Sequence, residues 1–300
     1  MDQKILKNTI DKLVNQFVSR LEKTLHSSLE SITLTGTYVT GDISYERPNV
    51  NVLLFFRPEV TADSYITLGK ILFELGESYT KEFSLRIDLW PHRFSYPIGG
   101  KGLELSLFVQ PLNVSNKDLT EWITPDQELR TPFGISLPVI IGFKAMRKVV
   151  FGKDILGGID ADLNLRDIIL STLRELPLFR IQLIKAPLTY DVEKRFDLLA
   201  TESIEAGKAC LYFAVEIGLS NEQIKTGQYI EFFRDKQKLL RYIREQYPII
   251  AQEAKTILDA RDNFLAVKKN KQKSFEVYKA AYTILNQTFF TALKKLEEVD

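Results

Sequence analysis

Apolar residues at Ile5, Ile10, Leu13, Val14, Phe17, Val18 and Leu21 recur every three or four places, with charged and amide residues between them. That period predicts an amphipathic helix over 3–25. The pattern then shortens. Residues 31–37 and 50–56 are β-branched or apolar runs bounded by Gly36, Gly41, Pro48 and Pro58, and they predict two strands. Ile66, Leu68, Ile71, Leu72 and Leu75 restore the helical period over 63–80, and strands follow at 83–90 and 103–109 with Gly99-Gly100 between them. This order of helices and strands predicts an α+β domain, a small mixed sheet covered by helices.

From Pro138 onward the period is helical throughout. Helices are expected over 138–151, 164–184, 190–217, 222–245, 247–268 and 273–297, separated by Gly, Pro or polar breaks. The polar, Pro-containing stretch 111–133 reads as a connection. We therefore expect an α+β domain over 1–130 and an all-α helical bundle over 131–300. The aromatics Tyr212, Phe213, Tyr229, Phe232, Phe233 and Tyr242 fall at helical spacings, which favours packing between helices over a base-stacking platform.

Composition narrows the classes. The 300 residues are 45% hydrophobic and 26% charged, with a net charge of +1. No global field draws the chain to nucleic acid or to a membrane, and no basic patch points to nucleic acid. No apolar run approaches the roughly 20 residues of a membrane span. The N-terminal stretch lacks a signal-peptide core, so a cytoplasmic protein is expected. The single cysteine, Cys210, excludes an internal disulfide and reads as a small core residue. Two histidines, His26 and His92, leave little for a zinc site.

One segment carries candidate chemistry: Gly36-Thr37-Tyr38-Val39-Thr40-Gly41-Asp42, then Asn49-Val50-Asn51 opening the next strand. It resembles the signature of the nucleotidyltransferase superfamily, the polymerase-beta-like fold. That family sets a Gly-Ser turn before an Asp-x-Asp pair. The resemblance covers about residues 10–157 and implies roles for particular residues. Gly36 lets the backbone approach a nucleotide triphosphate, and Thr37 helps to hold its phosphate oxygens. Positions 49 and 51 lie on one face of a strand, where two aspartates would bind magnesium with a third carboxylate. Asp88 fits that third position, and Glu104 is its rival. Phe151-Gly152-Lys153-Asp154-Ile155-Leu156 resembles a Gly-x-Asp-Leu turn found in small-molecule and minimal nucleotidyltransferases. Outside the resemblance, Asp88 suits a surface ion pair with Arg86 or Arg93, and Glu104 a solvent-facing strand position.

The departure lies at the metal ligands. Asn49 and Asn51 stand where the family has aspartates. An amide oxygen brings no negative charge, and no intact metal site is expected. The leading expectation is a pseudoenzyme whose cleft binds a nucleotide or a partner through Gly36, Thr37, Asn49 and Asn51. Asp88 would then be a vestigial third carboxylate. Mg2+ and a nucleoside triphosphate enter as cofactors only if binding or activity is retained. A second expectation is an active enzyme moving adenylate to a small molecule such as an aminoglycoside, or to a protein, with Asp42, Asp88 and Glu104 as a rearranged metal site. A third is an interaction module, antitoxin-like, with a protein partner or a second copy of itself. Helical tails with an RNase arginine-histidine motif are excluded, because no histidine falls in the helical half.

Overall fold

Helix α1, Gln3–Leu25, forms where the period predicts it, and Leu6, Ile10, Leu13, Val14, Phe17 and Leu21 are all buried along one face. The computed structural model describes residues 3–41, 43, 44, 46–79, 83–89, 94–98, 103–113, 142–157, 164–189, 191–226 and 228–299. The chain divides into two compact units, one of Met1–Ile135 with Phe143–Ala161, the other of Ser136–Gly142 with Asp162–Asp300.

In the first unit α1 is followed by β1 (Leu29–Thr35), α2 (Thr37–Thr40), β2 (Asn49–Phe56), α3 (Ala62–Ser78), β3 (Phe83–Leu89), β4 (Phe94–Ile98), β5 (Leu103–Asn113) and β6 (Arg147–Gly152). Six strands make one mixed sheet in the order β4-β3-β5-β2-β1-β6. β5 runs parallel to both β2 and β3, while β1 is antiparallel to β2 and to β6. Alternation decides the two faces. Ile32, Leu34, Val50, Val52, Leu54, Phe56, Leu85, Ile87, Leu105, Leu107 and Val109 join the apolar faces of α1 and α3 in one core. The intervening residues, Thr33, Thr35, Asn49, Asn51, Ser106 and Phe108 among them, occupy the opposite face.

Two strands differ from the sequence reading. Among the described residues of the helix expected over 138–151, 142–145 are helical and Arg147–Gly152 is strand β6, paired to β1; 138–141 lie outside the described residues. Its run Val149-Val150-Phe151 is β-branched and aromatic, and the outer edge of β1 supplies backbone partners that a helix would leave unmet. Strand β4 was not expected. Among the described residues it is the edge strand of the sheet, a place where proline is tolerated, and it carries Pro97.

The second unit is all helical among its described residues: α4 (Leu165–Thr189), α5 (Phe196–Gly218), α6 (Asn221–Thr226), α7 (Ile230–Arg234), α8 (Lys236–Gln246), a 3-10 turn at Pro248–Ile250, α9 (Ala251–Asp262), α10 (Phe264–Val267) and α11 (Lys271–Val299). The single helix expected over 222–245 is three. Asp235 ends one and caps the next, its carboxylate accepting from the amides of Gln237 at 2.8 Å and Lys238 at 3.2 Å. The helix expected over 247–268 opens at Pro248 as the 3-10 turn, runs on as α9 and breaks at Asn263 before α10. Helix α5 is central, with α4, α9 and α11 packed against it, and Cys210 is fully buried along it. The aromatics do pack between helices, with Tyr212 and Phe233 rings 4.6 Å apart and Phe232 and Tyr242 rings 4.7 Å apart. Glu216, also on α5, is 3% exposed, and its Oε2 meets no hydrogen-bond partner among the described residues. Burial alone pushes its carboxyl well above the usual range. Among the described residues no helix is long and apolar enough to cross a membrane.

Candidate functional site

Strand β1 ends where Gly36 turns the chain at φ 79°, ψ −160°. Only glycine occupies that region without strain. The Gly36 amide donates to the Met146 carbonyl at 3.0 Å, and its carbonyl accepts from Val39 at 3.0 Å. The chain thus closes into α2 and leaves it through Gly41, at φ 80°. Tyr38 ties α2 back to α1 by donating to Asp11 Oδ1 at 2.8 Å; burial first, then that carboxylate, raises its phenol pKa.

Both asparagines lie against this turn. A Cβ on Gly36 would stand 2.6 Å from Asn51 Nδ2, so the missing side chain is what admits the Asn51 amide. Thr37 Oγ1 donates to Asn49 Oδ1 at 3.4 Å, a long bond that faces the Asn49 carbonyl toward the turn. Period two along β2 puts both amides on the sheet face away from the helices.

The register extends the site sideways. Asn51 pairs with Thr35 on β1 and with Phe108 on β5, and Asn49 pairs with Ser106 on β5. Each asparagine therefore has a hydroxyl residue beside it, on opposite sides. Thr35 is 0% exposed and Ser106 is 1% exposed, and neither side-chain oxygen has a hydrogen-bond partner among the described residues. A buried hydroxyl left unpaired costs about 1–3 kcal/mol, so two together on one short stretch of sheet call for a physical reason. Sequence reading passed over both. The one available signal was phase: Thr35 follows Leu34, and Ser106 lies between Leu105 and Leu107, each at a position opposite in phase to the buried apolar residues of its strand.

The acidic candidates are placed by backbone register. Asp88 pairs with Phe108, which pairs in turn with Asn51, so Asp88 stands in the Asn51 row but two strands away. At the usual strand spacing that is roughly 10 Å between backbones. On that side the strand adjoining β2 is β5, and it carries Glu104 two residues before Ser106. The side chains of Asp88 and Glu104, and Asp42, His92 and Arg93 entirely, lie outside the described residues. Arg86 pairs with Ser106 and so brings a cationic residue into the Asn49 row.

On the far side of Thr35, Arg147 occupies the paired position on β6. Its guanidinium grips Asp154 through Nε at 2.9 Å and a second nitrogen at 2.9 Å, and Asp154 Oδ1 also accepts from the Gly157 amide at 2.9 Å. The Arg147 bond holds the Asp154 carboxyl below its usual range. The Gly-x-Asp-Leu segment is thus clasped to the strand that borders the site. Arg147 was missed because its segment reads as helix.

No protein-family model matches the chain, and no curated protein matches it. Among solved structures, the chain is similar to the spectinomycin adenyltransferase AAD(9) from Enterococcus faecialis, crystallised with ATP and spectinomycin. The two are 14% identical over 91% of this chain and 98% of that one, with a TM-score of 0.49. A likeness of this depth carries no argument about activity or ligand.

Proposed function

We propose that the first unit is a nucleotidyltransferase-type scaffold that keeps the phosphate-facing turn and has lost the paired metal-binding carboxylates, so that it binds a nucleotide without ordinary nucleotidyl transfer. The observation that supports this reading is the convergence of Asn49 and Asn51 on the Gly36–Thr37 turn, at the family's own spacing. The donor set does not fit the magnesium that the family uses. Mg2+ is a hard cation that dehydrates reluctantly and takes carboxylates. Positions 49 and 51 offer neutral amides, and their neighbours Thr35 and Ser106 offer hydroxyls. Removal of two charged contacts at about 2–4 kcal/mol each slows transfer by roughly three to six decades.

Transfer from α-labelled ATP to cell-extract acceptors tests the chemistry. The wild type is expected to be inactive, and Asn49→Asp with Asn51→Asp is expected to restore measurable transfer. Failure of all four nucleoside triphosphates to bind at millimolar concentration, in any cation condition, would refute the binding half. A second reading, an active enzyme with a rearranged metal site, draws support from one placement: Glu104 stands on the strand adjoining β2. Robust wild-type transfer that is abolished by Glu104→Gln and indifferent to the double substitution would favour it.

A further inference from the structure

We infer that the site at the Gly36 turn, on the nucleotidyltransferase reading above, takes its nucleoside triphosphate as the bare, metal-free anion, and that divalent cation weakens binding instead of enabling it. The side chains gathered beside the turn are able to donate hydrogen bonds. Thr35 and Ser106 carry buried hydroxyls with no partner among the described residues, flanking Asn51 and Asn49 on either side. A hydroxyl rotates to donate wherever an acceptor arrives. The Asn49 carbonyl already accepts from Thr37, which turns its NH2 group away from the turn. The Asn51 NH2 lies against Gly36, at the position a Cβ would otherwise obstruct. Oxygen-rich anions satisfy such donors.

Charge argues in the same direction. Carboxylates at 49 and 51 would repel a triphosphate until metal ions screened them. Amides at those positions remove two negative charges and replace them with N–H donors. That face carries backbone positions of both signs, Arg86 in the row of Asn49, Asp88 in the row of Asn51 and Glu104 two residues before Ser106, so the charge difference that matters is the one at 49 and 51 itself. Magnesium bound to the triphosphate occupies the oxygens these donors would use and holds its own water shell. Metal and protein therefore compete for the same ligand atoms. By reciprocity, whatever Mg2+ takes from nucleotide affinity, nucleotide-bound protein takes from Mg2+ affinity.

The test is calorimetric titration of the full chain with ATP, GTP, CTP, UTP and inorganic tripolyphosphate, each in excess EDTA and in excess MgCl2. At least one nucleotide is expected to bind in EDTA, roughly tenfold more tightly than with Mg2+. Tripolyphosphate binding as tightly as every nucleotide would overturn the assignment to a nucleoside triphosphate. Asn49→Asp with Asn51→Asp should invert the cation preference. Thr35→Val with Ser106→Ala should weaken binding in EDTA, while Thr35→Ser, which keeps the hydroxyl, should not; circular dichroism melts confirm that each variant is folded. Binding that requires Mg2+ would overturn this inference and leave the nucleotidyltransferase reading standing. Absence of binding in both buffers would overturn both.

Discussion

Replacing Gly36 by alanine tests the contact on which the site is built. Two separate costs follow from the geometry. The first is conformational: at φ 79°, ψ −160° an L side chain is strained by about 1–3 kcal/mol. The second is steric. The new Cβ would meet Asn51 Nδ2 at 2.6 Å, so the end of that half-buried side chain must swing away from the turn, at about 0.5–1.5 kcal/mol for a side chain pushed off its rotamer. Together they predict a loss of about 1.5–4.5 kcal/mol, measured by urea unfolding followed by circular dichroism. A double-mutant cycle separates the parts. Asn51→Ala in the Gly36→Ala background removes the obstruction and should recover the steric share only, a coupling of about 0.5–1.5 kcal/mol. A Gly36→Ala variant within about 0.5 kcal/mol of wild type would refute the reasoning, and so would zero coupling between the two positions.

Two further outcomes follow from the core. The raised pKa of Glu216 means that its proton stabilises the folded chain below the unfolded value, 4.5, and that this stabilisation is lost as pH rises toward the folded value. Wild type should lose up to about 1.4 kcal/mol per pH unit in that window relative to Glu216→Gln, and parallel pH profiles of the two proteins in urea unfolding would rule this out. Phe17, fully buried on α1, should cost about 3–5 kcal/mol on truncation to alanine, read as a lowered urea midpoint at unchanged slope.

The elements that could be read from sequence are those whose own pattern carries their environment. α1 shows its buried stripe over six turns, and β2 shows an apolar run closed by Pro58. β6 could not be read that way. It is mostly half-exposed, so it lacks clean alternation, and what makes it a strand is the open edge of β1, more than a hundred residues earlier. The breaks at Asp235 and Asn263 were visible as residues, but the helical period ran on through them and won the reading. At the site, the adjacency of Gly36 to the two asparagines was legible because it lies within one strand-turn-strand segment. The placing of Thr35 and Ser106 beside them was not, since it depends on strand order. Nothing local to residues 83–113 states that β5 comes to rest between β3 and β2 and sets Asp88 a further strand away.

That strand order also sets a schedule for assembly. As the chain leaves the ribosome, β1 with β2 and β3 with β4 can each form a local antiparallel pair. The two ribbons have no backbone bonds to one another until residues 103–113 emerge and slot between them, parallel to both. Until then each ribbon exposes an inner edge with its peptide groups unmatched. The vulnerable interval in this protein's synthesis is therefore the passage from residue 98 to residue 113, when a chaperone has most to cover and a stall would do most harm.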